Sequence, residues 1–150
     1  MRAVPGRGEA FTVFAQQTAP ALEVDAIVRQ AARFFGTTLA IEGVAAGALA
    51  DGVMGARVTA NGATRTCFGR ERTVDDLAAA EAAETRGGYT GMSLLAARCA
   101  TVWLVEVTAM PDDAALLVAA VIASVLLGPI LSPDGTELFG VKTARGKLGR

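Results

Sequence analysis

The chain contains no histidine. That absence excludes serine–histidine–aspartate and cysteine–histidine catalysis, the imidazole proton shuttle that works near neutral pH, and every zinc site built on imidazole. Cysteine is nearly as scarce. Cys67 and Cys99 cannot build a four-cysteine metal centre and could form at most one disulfide. A chain of 150 residues needs no disulfide scaffold, so both thiols are expected to be reduced, as in a cytoplasmic protein. No stretch fits the phosphate-binding P-loop or the dinucleotide GxGxxG pattern, and no metal or cofactor is expected. A net charge of −1 gives no global field to hold nucleic acid. The first nine residues lack the apolar core of a secretory signal, so none is expected.

What is abundant is apolar. Hydrophobic residues make up 52% of the chain and charged ones 19%, which argues against disorder. Much of the apolar share is alanine, and arginine far outnumbers lysine, a bias that suggests a GC-rich, bacterial-type genome more than a function. Residues 1–10 are expected to be a flexible lead-in, 11–141 one domain, and 142–150 a basic, weakly structured tail.

Phe11 to Gln16 reads as a strand, and Ala19 to Phe35 as an amphipathic helix capped by Thr18 and stopped by Gly36. Thr37 to Glu42 is a second strand, and Gly43 to Gly52 a small-residue loop. Val53 to Ala60 and Ala63 to Gly69 flank Asn61-Gly62, the preferred pair for a type I′ hairpin turn. That register sets Thr59 opposite Thr64 and Val58 opposite Arg65. Thr73-Val74-Asp75-Asp76 resembles a capping box before an alanine-rich helix, which Arg86-Gly87-Gly88 breaks. A short helix from Thr90 to Arg98 follows. Thr101 to Val107 suits a strand covered on both faces. Asp112 to Leu127 is an apolar helix closed by Gly128-Pro129, and Glu137 to Val141 is a last strand.

The order βα-β-ββ-αα-β-α-β predicts an α+β fold, a two-layer α/β sandwich on a mixed or antiparallel sheet. The segments 11–42 and 101–141 share a plan, so the order resembles a pseudo-twofold ferredoxin-like arrangement. That analogy carries no function.

Several groups are candidates for chemistry. The loop Arg86, Gly87, Gly88, Tyr89, Thr90, Gly91, Met92, Ser93 combines three glycines, two hydroxyls and a guanidinium before a helix start, a pattern that can hold an anionic small molecule. It lacks a phosphate-loop lysine and follows a helix, which is also how a plain helix connection looks. Glu106 stands near the end of an apolar strand, either as an acid/base group or as a carboxylate reaching water. The pairs Asp75-Asp76 and Asp112-Asp113 fall in first helical turns, where they favour the helix dipole. Arg57, Arg65, Arg70 and Arg72 cluster around the hairpin and read as a solvated sheet face.

Ala114 to Leu131 is an 18-residue run without charge, the length at which a membrane span must be weighed. The helix within it is about 24 Å long, and it starts on two aspartates, so burial is favoured over insertion. A helix apolar all round must be covered on every side. Small residues at Ala115, Ala119 and Ala123 predict a close helix contact, simplest as a homodimer or as a further helical layer of the same chain. The leading expectation is a non-catalytic cytoplasmic domain acting by protein association, with itself or another protein. A ligand-binding domain or enzyme using the Arg86–Ser93 loop comes second and a membrane-anchored protein third.

Overall fold

The structure is a computed structural model that describes residues 4–44, 49, 52–88 and 91–149. In chain order it runs β1 (Ala10–Ala15), α1 (Val24–Phe35), β2 (Leu39–Gly43), β3 (Met54–Ala60), β4 (Ala63–Glu71), α2 (Val74–Gly87) and α3 (Met92–Ala97), then β5 (Thr101–Glu106), α4 (Asp113–Leu126), β6 (Ile130–Leu131), β7 (Leu138–Phe139) and α5 (Val141–Lys147). The strands form one sheet in the order β2-β3-β4-β5-β1-β6-β7, with every neighbouring pair antiparallel. The α+β sandwich predicted from the element order is present.

Alternation along the strands assigns the two faces. Phe11, Val13, Ala15, Trp103 and Val105 join the core with α1 and α4. Phe14 and Val102 join Ala80 and Ala83 of α2 and Ala96 of α3. Helices therefore lie on both faces of the sheet, α1, α4 and α5 on one and α2 and α3 on the other. This is why β1 and β5 are buried along nearly their whole length.

Both β-α-β units are split. β1 and β2 run parallel with β5, β4 and β3 between them, whereas β5 and β6 run parallel with only β1 between them; the strand expected over Glu137 to Val141 is the two-residue β7, which runs antiparallel to β5, and β6 takes its place in the unit. The hairpin inserted after β2 makes the difference, so the pseudo-twofold plan holds in the order of elements and not in strand spacing.

The hairpin matches its sequence signal. Asn61 and Gly62 take φ of 52° and 80°, the left-handed geometry of a tight primed turn. Thr59 faces Thr64 with hydroxyls 2.8 Å apart, and Val58 faces Arg65. Thr73 and Asp76 form the reciprocal capping box that starts α2.

Several boundaries differ from expectation. Helix α1 starts at Val24, with Glu23 and not Thr18 at the cap position. Gln17 explains the delay. Its side-chain amide donates to the Ala21 carbonyl and its oxygen accepts from the Ala21 N–H, holding this stretch out of the helix. The same oxygen accepts from Trp103 Nε1 at 2.9 Å. The lead-in is packed from residue 4 on. Val4 rests on the Phe68 and Leu104 group, Arg7 pairs with Asp76 at 3.0 Å, and the Glu9 carbonyl accepts from the Val107 N–H. The expected tail is α5, with Ala144 fully buried. Gly43 belongs to β2, and residues 45–48, 50 and 51 of the expected loop lie outside the described residues.

Helix α4 is the centre of the core. Every residue from Ala115 to Ala123 is at most 6% exposed. The all-round cover that its composition requires comes from the sheet, α1 and α5 of the same chain. Among the described residues, no helix is long and apolar enough to cross a membrane.

Candidate functional site

The structure separates the candidates that the sequence set side by side. In the glycine loop, the α3 amides that could receive an anion already hold one from this chain. The Glu84 carboxylate accepts from the Met92 N–H at 2.7 Å, from the Ser93 N–H at 3.1 Å and from the Ser93 hydroxyl. These hydrogen bonds, led by that of the hydroxyl, hold the Glu84 carboxyl below the usual carboxylate range. Gly88 is the left-handed cap of α2 and Gly91 the left-handed residue before α3. Gly87 is the last residue of α2, and Arg86 reaches across to the Gly135 carbonyl. Tyr89 and Thr90 lie outside the described residues. The loop is thus tied down as a helix connection by a carboxylate of its own preceding helix.

Glu106 is the last residue of β5, half-buried and opposite Ala10 at the start of β1. Its charge helps raise the buried Cys67 thiol to about 12, second to the effect of burial itself. Cys99 is likewise buried and raised to about 11, chiefly by desolvation. Both thiols are free, and neither has the low pKa of a reactive cysteine.

Arg65 and Arg70 are not part of a solvated face, whereas Arg57 stays 41% exposed at its side chain. Arg65 makes a bidentate pair with Asp112, Arg70 one with Asp76, and Arg57 a looser pair with Glu42 at 3.4 Å. Asp76 and Asp112 are therefore more than dipole partners. Each anchors a helix start to β4, Asp112 to an arginine 47 positions away and Asp76 to one six positions away.

Ala115 and Ala119 are fully buried and Ala123 is 1% exposed, so the small stripe receives this chain's own helices and Ala115 and Ala119 offer no face to a partner. Ala123 does reach a surface feature, a groove of about 390 Å³ where α3, the end of α4 and the start of α5 meet. Met92, Leu95, Ala123, Leu127 and Val141 provide its apolar walls. Ser124 is the one polar side chain there, and its hydroxyl is spent on the Val121 carbonyl at 2.7 Å.

The geometry at the end of α4 follows from a steric constraint. The Pro129 carbonyl accepts from the Phe14 N–H, which draws Gly128 against β1. A side chain on Gly128 would collide with the Phe14 carbonyl. Glycine is therefore required at 128, and the left-handed cap falls one residue earlier, on Leu127 at φ 61°. A residue with a Cβ pays roughly 1–2 kcal/mol for that conformation. Leu127 nevertheless occupies it, 62% exposed at the groove's rim. Leu94 of α3 is 70% exposed. Five of the seven exposed large hydrophobic side chains among the described residues (Val24, Met54, Val74, Leu94 and Leu127) belong to segments that join the sheet near this end.

Among the described residues no cluster of histidine, cysteine and carboxylate side chains could hold a metal ion. Comparison of the chain with protein-family models, with curated proteins and with solved structures finds no match, so any functional reading rests on this geometry.

Proposed function

We propose that this chain is a non-catalytic association domain that pairs with a second copy of itself through the groove at the end of α4. One observation carries the reading: the same patch supplies both a projecting side chain, Leu127, and an apolar recess beside it. A twofold contact needs a surface complementary to itself, and a knob next to its own hole satisfies that need. In such a pair each Leu127 enters the other copy's recess between Met92, Leu95 and Val141. Exposed apolar side chains gathered at one end of a domain are a recognised mark of protein contact. The buried, unreactive thiols are compatible with a cytoplasmic setting.

Sedimentation tests the proposal. The protein is expected to sediment as a dimer at micromolar concentration, and Leu127→Glu as a folded monomer, because residue 127 touches water in the isolated chain. A monomeric native protein, or a Leu127→Glu dimer of unchanged affinity, overturns it.

A further inference from the structure

At the opposite end of α4 lies a second cavity, of about 270 Å³. It sits between the first turn of α4, the end of α5 and the turn joining β6 to β7. Phe11, Leu116 and Phe139 form an apolar floor, and Asp113, Asp134, Glu137 and Lys147 stand around it. We propose that this cavity binds a small organic ammonium with an apolar body, and that Lys147 occupies part of the site when no ligand is present.

The chain itself displays the recognition chemistry. The Lys147 ammonium lies 5.3 Å from the centre of the Phe139 ring and 2.8 Å from a Glu137 carboxylate oxygen. An aromatic face plus a carboxylate is how proteins hold amine cations. Two further carboxylates remain uncompensated by any cation among the described residues. Asp113 has no ion pair, and Asp134 accepts only from neutral groups, the Ser132 hydroxyl and the Thr136 hydroxyl and N–H. Asp112, also in the wall, is already matched by Arg65.

The charge left over is therefore negative, which disfavours an anion even though a helix begins here, since Asp112 already caps the Ala115 N–H. A bare metal ion fits poorly, because the carboxylates are not grouped closely enough to ligate one. A volume just under the roughly 300–1,000 Å³ of drug-sized pockets suits a fragment-sized molecule, with its hydrocarbon part on Phe11 and Leu116. This site is independent of the association proposal, being at the other end of α4.

Phenethylamine and its neutral counterpart 2-phenylethanol provide the test, by amide chemical-shift titration of the ¹⁵N-labelled protein. The amine is expected to shift the amides around Phe11, Leu116 and Phe139, and the alcohol to do so much more weakly. Lys147→Ala removes the competing ammonium and is expected to tighten amine binding about two- to fivefold, the equivalent of one exposed cation–π contact. Asp113→Asn with Asp134→Asn is expected to weaken it about fivefold, as for two exposed charge contacts. Equal shifts from amine and alcohol, shifts centred elsewhere, or no gain in Lys147→Ala would each overturn the proposal. The lysine variant keeps it falsifiable should the double variant disturb the turn that Asp134 supports.

Discussion

Helices α2 and α4 begin on opposite faces of the sheet with the same device, and the two versions differ in how much they carry. Each carries an aspartate gripped by an arginine of β4, at the cap of α4 and in the first turn of α2. Arg70 holds Asp76 on the α2 side, and Arg65 holds Asp112 on the α4 side. The arginines are five positions apart, so alternation sends them to opposite faces. Each aspartate also serves its own helix start. Asp76 completes the capping box with Thr73, and Asp112 caps the Ala115 N–H while accepting from the Thr108 N–H. The difference is a second arginine. Asp76, with no exposed side-chain surface, also takes Arg7 at 3.0 Å, so one carboxylate ties together the N-terminal segment, the hairpin and α2. Asp112 joins only a loop, a helix and a strand that are already close. A buried carboxylate is tolerable in proportion to the donors that replace its water, charged ones above all, and the more deeply buried one is met by two guanidinium groups where the other has one.

Removing the charge should separate the two. Asp76→Asn leaves two guanidinium groups facing an amide and is expected to cost about 3 kcal/mol, the lower part of the range for breaking a buried pair, because Arg70 and Arg7 can both regain some water. Asp112→Asn keeps a competent cap, since asparagine caps helices well, and is expected to cost about 2 kcal/mol. Urea unfolding of the two variants measures both figures. Equal costs would mean that the second arginine contributes nothing.

Acid should act on the same comparison. Burial pushes the Asp76 carboxyl upward, but its hydrogen bonds to Arg70, Thr73 and Arg7 and the Arg70 charge outweigh this and bring it to about 2. Asp112 is likewise below its ordinary value, with burial again opposed by Arg65, Thr108 and Ala115. A carboxyl depressed in the folded state stabilises above its unfolded pKa, and that contribution disappears as pH falls through the folded value. Native stability is therefore expected to fall between about pH 4 and about pH 2, and the slope in that window should flatten in Asp76→Asn. An unchanged slope in the variant would remove Asp76 as the main acid-sensitive group.

These clamps also mark the limit of what the sequence made legible. Helix starts at Thr73 and Asp112, the Asn61-Gly62 turn and the buried β5 were readable because each is encoded by adjacent residues or by a short period. The pairs Arg65–Asp112 and Arg7–Asp76 were not, because 47 and 69 positions separate their members and only the fold brings them together. Helix α5 did leave a trace. Val141, Ala144 and Leu148 follow helical spacing, but Thr143 and Gly146 weaken the pattern over seven residues. That omission made the helices α1 and α5 over α4 look too few and shifted the expected contact onto Ala115 and Ala119. The need for cover was legible, and its source in the same chain was not. Among site residues, the glycine loop was visible as a loop, while its occupant Glu84 was one polar residue in an alanine-rich helix. The groove was hidden because it depends on Leu127 taking the cap that Gly128 could not.

The smallest expected effect is the sharpest test of the comparison, because it leaves each clamp with a single arginine. Arg7→Ala leaves Asp76 with one bidentate arginine and the Thr73 N–H, whereas Asp112 has one bidentate arginine together with the Thr108 hydroxyl and the Thr108 and Ala115 N–H groups. Arg7 is 35% exposed at its side chain, so its pair is weakened by water and is expected to be worth roughly 0.5–1 kcal/mol. The N-terminal segment should stay in place, since Val4 still packs on the core and Glu9 still bonds to Val107. The informative quantity is the coupling between substitutions. In the Arg7→Ala background, Asp76→Asn should cost less than it does in the native chain, and its cost should approach that of Asp112→Asn, whose own value should not change. Stability measured for the four-member cycle by urea unfolding gives the coupling directly. A cost for Asp76→Asn that is the same with and without Arg7 would show that the depth of burial, and not the added donor, sets the two clamps apart.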